Sequence, residues 1–350
     1  MGSSSTIFCT LPNNFTCISS NYNSIFASPR PSISYPFISI SRKFPGFPDT
    51  LINQRRNSSP AFQFPSANAG TASPSQIVED SSSRMVTAND LLIVGPGVLG
   101  RLVAEKWKEE HPDCEIVGQT VTTDHHAELI EMGINPSVKG ISLGQKFPYV
   151  IFCAPPSRSP DYPGDVREAA SYWSGEGSFL FTSSSAPYDC NDNGSCDEDS
   201  PVVPIGRSPR TDVLLKAEGV VLEAGGCVLR LAGLYKADRG AHTYWLNKGT
   251  VDIRPDHILN LIHYEDAASL SVAILKKKLC GRIFLGCDNH PLSRQEVMDL
   301  VTKSGKYNKK FEGFTGTSDP LGKKLNNSKT RAEIGWEPKY PSFAQFLGVS

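Results

Sequence analysis

Three glycines with the spacing G-x-G-x-x-G, Gly95, Gly97 and Gly100, follow a short apolar run and open a segment with helical spacing. Such glycines allow a tight turn, the approach of backbone N–H groups to a pyrophosphate, and close contact between helix and strand. The amino end of the helix adds a partial positive charge. The spacing predicts a dinucleotide site that also includes Val98 and Leu99.

The residues after the next apolar run bear on the choice of dinucleotide. NAD enzymes usually carry Asp or Glu about 20 residues beyond the fingerprint, whereas this chain continues through Gln119 and Thr120 and has no acid before Asp124. The missing acid leaves room for a 2′-phosphate, although no Arg or Lys follows to bind it. The pattern favours NADP over NAD and assigns Thr120 to the site. His125 and His126 are either phosphate contacts or exposed residues that open a helix.

The elements that must position these residues alternate between apolar strands and helices. Strand-like runs lie at 91–94, 115–118, 149–154, 178–182 and 227–231. Helical segments lie at 98–107, around 166–173 and at 211–223. This alternation predicts an α/β fold with a doubly wound parallel sheet, a Rossmann fold. Ligands of such sheets bind beyond the carboxyl ends of the strands, so Ala154 and Pro155 complete the predicted cofactor contacts.

Several runs along the chain are similar to those of a known superfamily. They are F-T-S-S-S-A-P-Y (181–188), L-R-L-A-G-L-Y (229–235) and I-H-Y-E-D (262–266), together with S-P-R (208–210), L-I-H (261–263), G-W (335–336) and Y-P-S (340–342). The first three resemble the extended short-chain dehydrogenase/reductase superfamily. The whole set resembles bacterial YeeZ-type proteins, atypical members of the NAD-dependent epimerase/dehydratase family. The resemblance implies a Rossmann core over 88–235 and a smaller substrate lobe over 236–350, from which a strand at about 281–287 returns to the sheet.

The catalytic residues of that superfamily are present only in part. Its reductases use a Tyr as proton donor, a Lys four residues later, and a Ser or Thr on the substrate oxygen. Ser184 matches the serine, but Arg210 and Leu214 stand at the Tyr and Lys positions. A two-residue slip of the alignment would give Asp212 and Lys216 instead, still without a tyrosine. Ordinary carbonyl reduction is therefore in doubt.

Two further side chains are predicted to complete the chemistry. A guanidinium is effectively never deprotonated, so Arg210 suits an anionic substrate group or an oxyanion. Tyr188 would be the proton donor, or else a packed aromatic at the strand end. The function is either NAD(P)-dependent redox or epimerase/dehydratase chemistry on a small metabolite, or a catalytically degenerate dinucleotide-binding sensor or RNA- or protein-binding scaffold.

Other polar residues have simpler structural interpretations. Arg230 lies in an apolar strand and predicts a structural salt bridge, because a buried guanidinium needs partners. Asp266 precedes a helical run and predicts an N-cap, while His263 is expected at the lobe junction. Lys323 and Lys324 are predicted to form a solvated basic face.

The segment 189–200 reads D-C-N-D-N-G-S-C-D-E-D-S. It matches a calcium loop in part, but Ser200 stands where a bidentate Glu is needed and no helix precedes it, so plain turns and no metal site are predicted. Cys190 and Cys196 are expected to be reduced thiols in an acidic surface loop, with a local disulfide or redox switch as the alternative.

The first 78 residues differ in composition from the rest. They carry five basic side chains against one acid and 13 serines before position 60, which is typical of a chloroplast transit peptide and predicts the stroma. Residues 1 to 6 also match a myristoylation pattern, and a disordered tail is a third interpretation. The remainder holds 30 of the 35 basic and 35 of the 36 acidic residues. With no excess of cations and no apolar run of about 20 residues, neither nucleic acid nor a membrane is an expected partner. The expected partner is a small molecule, for which an anionic group is one option.

Overall fold

The computed structural model describes residues 86 to 349. Its strands are β1 (Leu91–Val94), β2 (Ile116–Thr120), β3 (Asn135–Val138), β4 (Phe147–Phe152), β5 (Trp173–Ser184), β6 (Ser195–Cys196), β7 (Cys227–Leu231), β8 (Gly233–Tyr235), β9 (Thr250–Val251), β10 (Ile258–Leu259), β11 (Leu261–His263), β12 (Ile283–Gly286), β13 (Leu292–Ser293), β14 (Gly313–Phe314) and β15 (Lys324–Leu325). Its helices are α1 (Val98–Glu110), α2 (His126–Glu131), α3 (Tyr162–Ser171), α4 (Pro209–Glu223), α5 (Ala241–Lys248), α6 (Tyr264–Lys277), α7 (Arg294–Ser304), α8 (Ser328–Ile334) and α9 (Phe343–Leu347). The predicted transit peptide and the myristoylation pattern lie outside the described residues.

Seven parallel strands form the central sheet, in the order β12-β7-β5-β4-β1-β2-β3. From β1 the chain builds one edge through β2 and β3, then crosses back to β4 and builds the other edge. The order therefore reverses between β1 and β4, where Leu91 pairs with Ile116 on one side and Tyr149 on the other. This arrangement confirms the predicted doubly wound fold.

Helices cover both faces of this sheet, which is why its strands are nearly continuous apolar runs. Helices α1 and α6 pack against each other over one face, and α3 and α4 over the other. Helix α1 is amphipathic: Leu99, Val103 and Trp107 face the core, and the Trp107 indole donates to the Asn89 carbonyl at 2.9 Å. Each fully buried side chain of this size contributes about 1.5–3 kcal/mol.

A smaller lobe follows β7, although β12 returns to the sheet edge and pairs with β7. Its own strands form two-stranded pairs, among them β10 with β13 and β14 with β9. A separate aromatic and aliphatic cluster fills it, including Tyr235, Trp245, Met298 and Phe343. The last of the short strands, β15, pairs with β6 and so ties the C-terminal segment to the loop after β5. Within residues 86–349, no helix has the length and apolar character needed to span a membrane.

Candidate functional site

The three fingerprint glycines each meet a different steric demand. Gly95 has φ +79°, and a Cβ there would lie 2.7 Å from the backbone N and Cα of Ala154. A Cβ at Gly100 would lie 2.9 Å from Cγ2 of Ile93. Gly97 is exposed, and a Cβ there would have no heavy atom within 4 Å. The outer glycines are therefore required by packing, whereas Gly97 borders open space at the point where the strand order reverses.

Helix α1 begins at this open space with its dipole uncompensated. Gly97 is the N-cap and provides no side-chain hydrogen bond, and the first turn holds no acidic residue. The first helical hydrogen bond runs from Arg101 N–H to the Gly97 carbonyl at 3.0 Å. The N–H groups of Val98 and Leu99 precede that bond, which makes this helix end suited to a phosphate.

At the end of β2 the predicted contact Thr120 already has protein partners. Its hydroxyl donates to the Ser137 carbonyl at 3.2 Å and lies 2.8 Å from His126 Nε2. His126 is therefore held against the strand end, whereas His125 is exposed beside Glu128. Thr120 therefore ends β2 with its hydroxyl engaged by protein groups, and its carbonyl accepts from Lys139 N–H at 2.7 Å.

Arg101 reaches this edge from the first turn of α1, a position that the sequence analysis did not consider. Its Nε donates to the Pro96 carbonyl at 3.3 Å and its Nη1 to Glu128 at 2.7 Å. Because Pro96 belongs to the glycine turn and Glu128 to α2, the guanidinium spans the loop end of β2. No Arg or Lys directly follows β2 in the sequence, but α1 brings Arg101 to the end of this strand. The available signal was an Arg directly after the third glycine.

Ala154 and Pro155 follow β4 and face the glycine turn from the other side. The Ala154 carbonyl accepts a hydrogen bond of 2.7 Å from the buried Tyr162 hydroxyl, and Pro155 is exposed. Beside them, burial raises the pKa of the Cys153 thiol to about 12. Desolvation of this thiol favours its protonated form.

Ser184 ends β5, the strand next to β4. Its Oγ accepts from Ala186 N–H at 3.1 Å, which leaves the hydroxyl proton for another acceptor. The side chain is half-buried. Ser183 points the other way, is buried, and donates to Glu218 at 2.6 Å. Because side chains alternate along a strand, Ser183 points into the core and Ser184 points to the opposite face of the sheet.

Helix α4 carries the residues at the missing Tyr and Lys positions. Arg210 lies in its first turn and is exposed, whereas Leu214 is buried in the core. Lys216 is exposed, and the Asp212 carboxylate accepts from Gly206 N–H at 3.0 Å. Neither alignment therefore brings a lysine ammonium from α4 to Ser184.

Tyr188 lies 2% exposed, with its hydroxyl donating to the Glu198 carbonyl at 3.4 Å. Burial raises the pKa of this phenol to about 12, and the nearby Arg230 opposes that shift. The Arg230 guanidinium lies 4.7 Å from the ring centre. The role of Tyr188 as proton donor stays a prediction, and this packing favours the packed-aromatic alternative.

Arg230 forms the structural salt bridge that its strand position predicts. Its guanidinium pairs with Glu218, with Nη2 to Oε2 at 2.7 Å and Nε to Oε1 at 3.1 Å. Both side chains are almost fully buried. With Ser183 also donating to Glu218, the carboxylate links α4 to β5 and β7 beneath the candidate substrate site.

The prediction of a solvated basic face is wrong for Lys323. Its Nζ donates to the Tyr188 carbonyl at 2.6 Å and to the Ser185 carbonyl at 3.2 Å. Lys324, by contrast, is exposed. The contacts of Lys323 join residues 135 and 138 positions apart, so no local pattern could have indicated that this ammonium lies against the loop of Ser184.

Asp266 is not the N-cap of α6. The cap is His263, whose Nδ1 accepts from Glu265 N–H at 3.2 Å. Asp266 lies inside the helix, and its carboxylate accepts from the N–H groups of Lys339 and Tyr340 at 2.7 and 3.0 Å. The prediction failed because β11 runs directly into α6, which starts the helix before Asp266.

The acidic segment after Tyr188 folds into turns around β6. Among residues 86–349, Cys190 and Cys196 are free thiols, half-buried and buried respectively. No group of three or more His, Cys, Asp or Glu side chains in the described part of the chain could hold a metal ion.

No protein-family model matches the sequence, and no curated protein matches it. Solved structures do share its fold. A functionally unknown conserved protein from Silicibacter pomeroyi is 21% identical, with TM-score 0.61, over 74% of this chain and 96% of that one. The dTDP-glucose 4,6-dehydratase of Bacillus anthracis, in complex with NAD, is 16% identical, with TM-score 0.61, over 74% and 94%. The UDP-glucuronic acid 4-epimerase of Bacillus cereus, in complex with NAD, is 15% identical, with TM-score 0.60, over the same shares. At these identities the likeness shows a common fold.

Proposed function

We propose that this protein binds a nicotinamide dinucleotide and carries out redox or epimerase/dehydratase chemistry on a small metabolite. One observation carries the proposal. A Cβ at Gly95 or Gly100 would clash with atoms of the protein, whereas a Cβ at Gly97 would enter free space. That space adjoins an uncapped helix end without acidic residues. The pyrophosphate would lie on the N–H groups there, and Ala154 and Pro155 would border the other half of the dinucleotide. The bound dinucleotide would supply or accept a hydride.

The substrate side of the proposal rests on Ser184 and Arg210. Ser184 keeps a hydroxyl proton for a substrate oxygen at the carboxyl edge of β5. Arg210 is exposed at the start of α4 and suits a carboxylate, phosphate or oxyanion. The two enzymes whose structures contain NAD are named for nucleotide-sugar substrates, dTDP-glucose and UDP-glucuronic acid. A metabolite with an anionic group is the substrate class that we propose for this chain.

The preferred dinucleotide in this proposal is NADP(H). The position usually taken by a ribose-binding acid holds Thr120, and Arg101 lies across the same edge. Its side chain is 26% exposed, so a 2′-phosphate could displace Glu128 as its partner. A planar guanidinium with free N–H groups matches phosphate oxygens.

Replacement of Gly97 by Val tests the cofactor site. The backbone at Gly97, with φ −76°, is open to any residue, and the absence of neighbours within 4 Å means the variant should fold. We expect at least a hundredfold loss of NADPH and NADH affinity in a fluorescence titration. Gly219→Val is the matched control, because Gly219 also has no neighbour within 4 Å but lies on α4. Unchanged titration of Gly97→Val would refute the assigned site.

A sensor or scaffold without turnover is the second candidate function. Leu214 in the core at the lysine position, and Arg210 at the tyrosine position, favour it. The two functions separate when bound NADPH is incubated with carbonyl metabolites. Tight binding without any oxidation across a broad panel of anionic carbonyl compounds would favour the sensor or scaffold.

We also propose import into the chloroplast stroma, on the basis of the Ser-rich, acid-poor first 78 residues. A fusion of residues 1–85 to a fluorescent protein should accumulate in plastids. Fluorescence at the plasma membrane would instead favour the myristoylation pattern.

A further inference from the structure

Lys323 differs in its contacts from the lysines of the described chain that pair with a carboxylate. Lys139, Lys276, Lys329 and Lys339 each pair with a carboxylate. Lys323 instead donates to two backbone carbonyls, those of Ser185 and Tyr188, on the loop that begins at Ser184. Lys323 therefore does not serve to neutralise a surface carboxylate, and its ammonium lies against this loop instead.

The backbone of Lys323 is fixed on both sides. Asn193 holds the residue before it, through Oδ1 to Gly322 N–H at 2.7 Å. Asn260 holds Lys323 itself, since its Nδ2 donates to the Lys323 carbonyl at 2.8 Å, and its Oδ1 accepts from Leu325 N–H at 2.8 Å. Together with the β15–β6 pairing, these bonds fix the backbone of Lys323 from two separate segments, 193–196 and Asn260.

The Lys323 ammonium has one N–H donor more than its two carbonyl partners use. An ammonium has three N–H donors, and the two carbonyls account for two of them. If the third proton leaves, a neutral amine retains two N–H groups, which still satisfy both carbonyls. Lys323 can therefore give up one proton without breaking either bond that holds it.

We propose that Lys323 is the proton donor to the substrate oxygen beside Ser184, in place of the tyrosine and lysine that α4 lacks. This inference rests on the proposed function. In the reducing direction an N–H bond of Lys323 breaks and an O–H bond forms on the substrate oxygen, while the hydride added to the carbon comes from the reduced dinucleotide. The neutral amine regains its proton from solvent, which reaches the half-buried side chain.

The surroundings of Lys323 favour release of that proton. Desolvation lowers the pKa of the ammonium, and the Arg230 guanidinium acts in the same direction. The Cys190 and Cys196 thiols and the Asp189 carboxylate oppose the shift. The Tyr188 ring, 5.9 Å from Nζ, covers one side. An amine with a lowered pKa is the better general acid near neutral pH.

The experiment is an NMR titration of the whole mature protein with ¹³C- and ¹⁵N-labelled lysine, which leaves the charge and the three N–H donors of each ammonium unchanged. The Lys323 resonance is assigned by its loss in Lys323→Arg, and that of the exposed Lys324 by its loss in Lys324→Arg. Thermal melting of both variants confirms that they fold. The pKa of each resonance is measured with saturating NADP⁺ and with saturating NADPH, which differ in the charge of the nicotinamide ring.

We expect Lys323 to titrate below the ordinary lysine range, and its pKa to be about 0.3 to 1 unit lower with NADP⁺ than with NADPH, the size that one unit charge produces within a crevice. Lys324 should show no such difference. An ammonium remote from the nicotinamide ring would have the same pKa in both complexes, and that result would overturn the inference while leaving the proposed function intact. Failure of the protein to bind either dinucleotide would overturn both.

Discussion

The proposed cofactor side and the proposed substrate side of the site are built in different ways. The proposed cofactor side lies within residues 91–155, where the glycine turn leads into α1 and Gly95 lies against Ala154 at the end of β4. The proposed substrate side takes Ser184 from β5, Arg210 from α4 and Lys323 from the C-terminal segment. The cofactor side keeps the complete pattern of its fold, whereas the substrate side has lost the Tyr and Lys of the superfamily that its sequence resembles. Binding and chemistry can thus change separately on one scaffold.

The largest expected effect concerns the ion pair beneath the substrate side. Glu218→Gln leaves the Arg230 guanidinium buried without a charged partner, and we expect a loss of about 3–5 kcal/mol in the free energy of unfolding by urea. The double variant Glu218→Leu with Arg230→Met should recover much of this loss. The NADPH affinity of the folded fraction should not change. A matching loss of affinity would show that the two sides are not independent.

The next effect concerns the cofactor side. Gly95→Ala combines positive φ with a Cβ only 2.7 Å from the Ala154 backbone, so we expect a loss of about 2–5 kcal/mol in urea unfolding. Gly133→Ala is the matched control, since Gly133 has φ +72° and no neighbour within 4 Å. It should lose only about 1–2 kcal/mol. Equal losses would show that Gly95 is needed for its conformation and not for its contact with Ala154.

Arg101→Gln tests which dinucleotide the cofactor side prefers. We expect NADPH affinity to fall about tenfold to a hundredfold, because a charge-assisted contact to phosphate is lost, while NADH affinity stays unchanged. Calorimetric titration measures both. Arg167→Gln on the exposed side of α3 serves as the control. Equal losses for the two dinucleotides would assign Arg101 to the glycine turn alone.

The last effect is a pH dependence of stability that arises from Asp288. Burial raises the pKa of Asp288 to about 7 from an ordinary 3.8, and one of its carboxyl oxygens has no hydrogen-bond partner. Between about pH 4 and 7 the unfolded carboxyl ionises while the folded one stays protonated, so this group makes the protein less stable as pH rises. Asp288→Asn should therefore be more favourable relative to the natural chain at pH 8 than at pH 5, by roughly 2–3 kcal/mol, because the two protonation states differ over about two pH units of that interval.

Urea unfolding at both pH values measures this difference. His263, whose pKa burial lowers to about 4, makes the protein less stable as pH falls, but it is present in both chains and cancels. Asp299→Asn, on the exposed side of α7, should show no pH-dependent difference. An Asp288→Asn variant that behaves like this control would place the Asp288 carboxyl in contact with solvent.

The sequence by itself determined the doubly wound parallel sheet and the glycine turn. Parallel strands that are covered on both faces must be apolar runs, and a pyrophosphate turn needs glycines within six residues of one another. Both signals are local. The Arg230 salt bridge was also predictable, because a guanidinium in an apolar strand must find a partner, although the sequence did not identify Glu218.

The tertiary structure alone decided the substrate side. Lys323 contacts Ser185 and Tyr188, which lie 138 and 135 positions away in the sequence. The Asp266 carboxylate accepts hydrogen bonds from Lys339 and Tyr340, more than 70 positions away. Arg101 turned to the end of β2 because the glycine turn and α2 flank it. The sequence around a charged side chain does not show whether that side chain contacts water or a backbone carbonyl. Its role depends on which distant backbone the fold brings within about 3 Å of it.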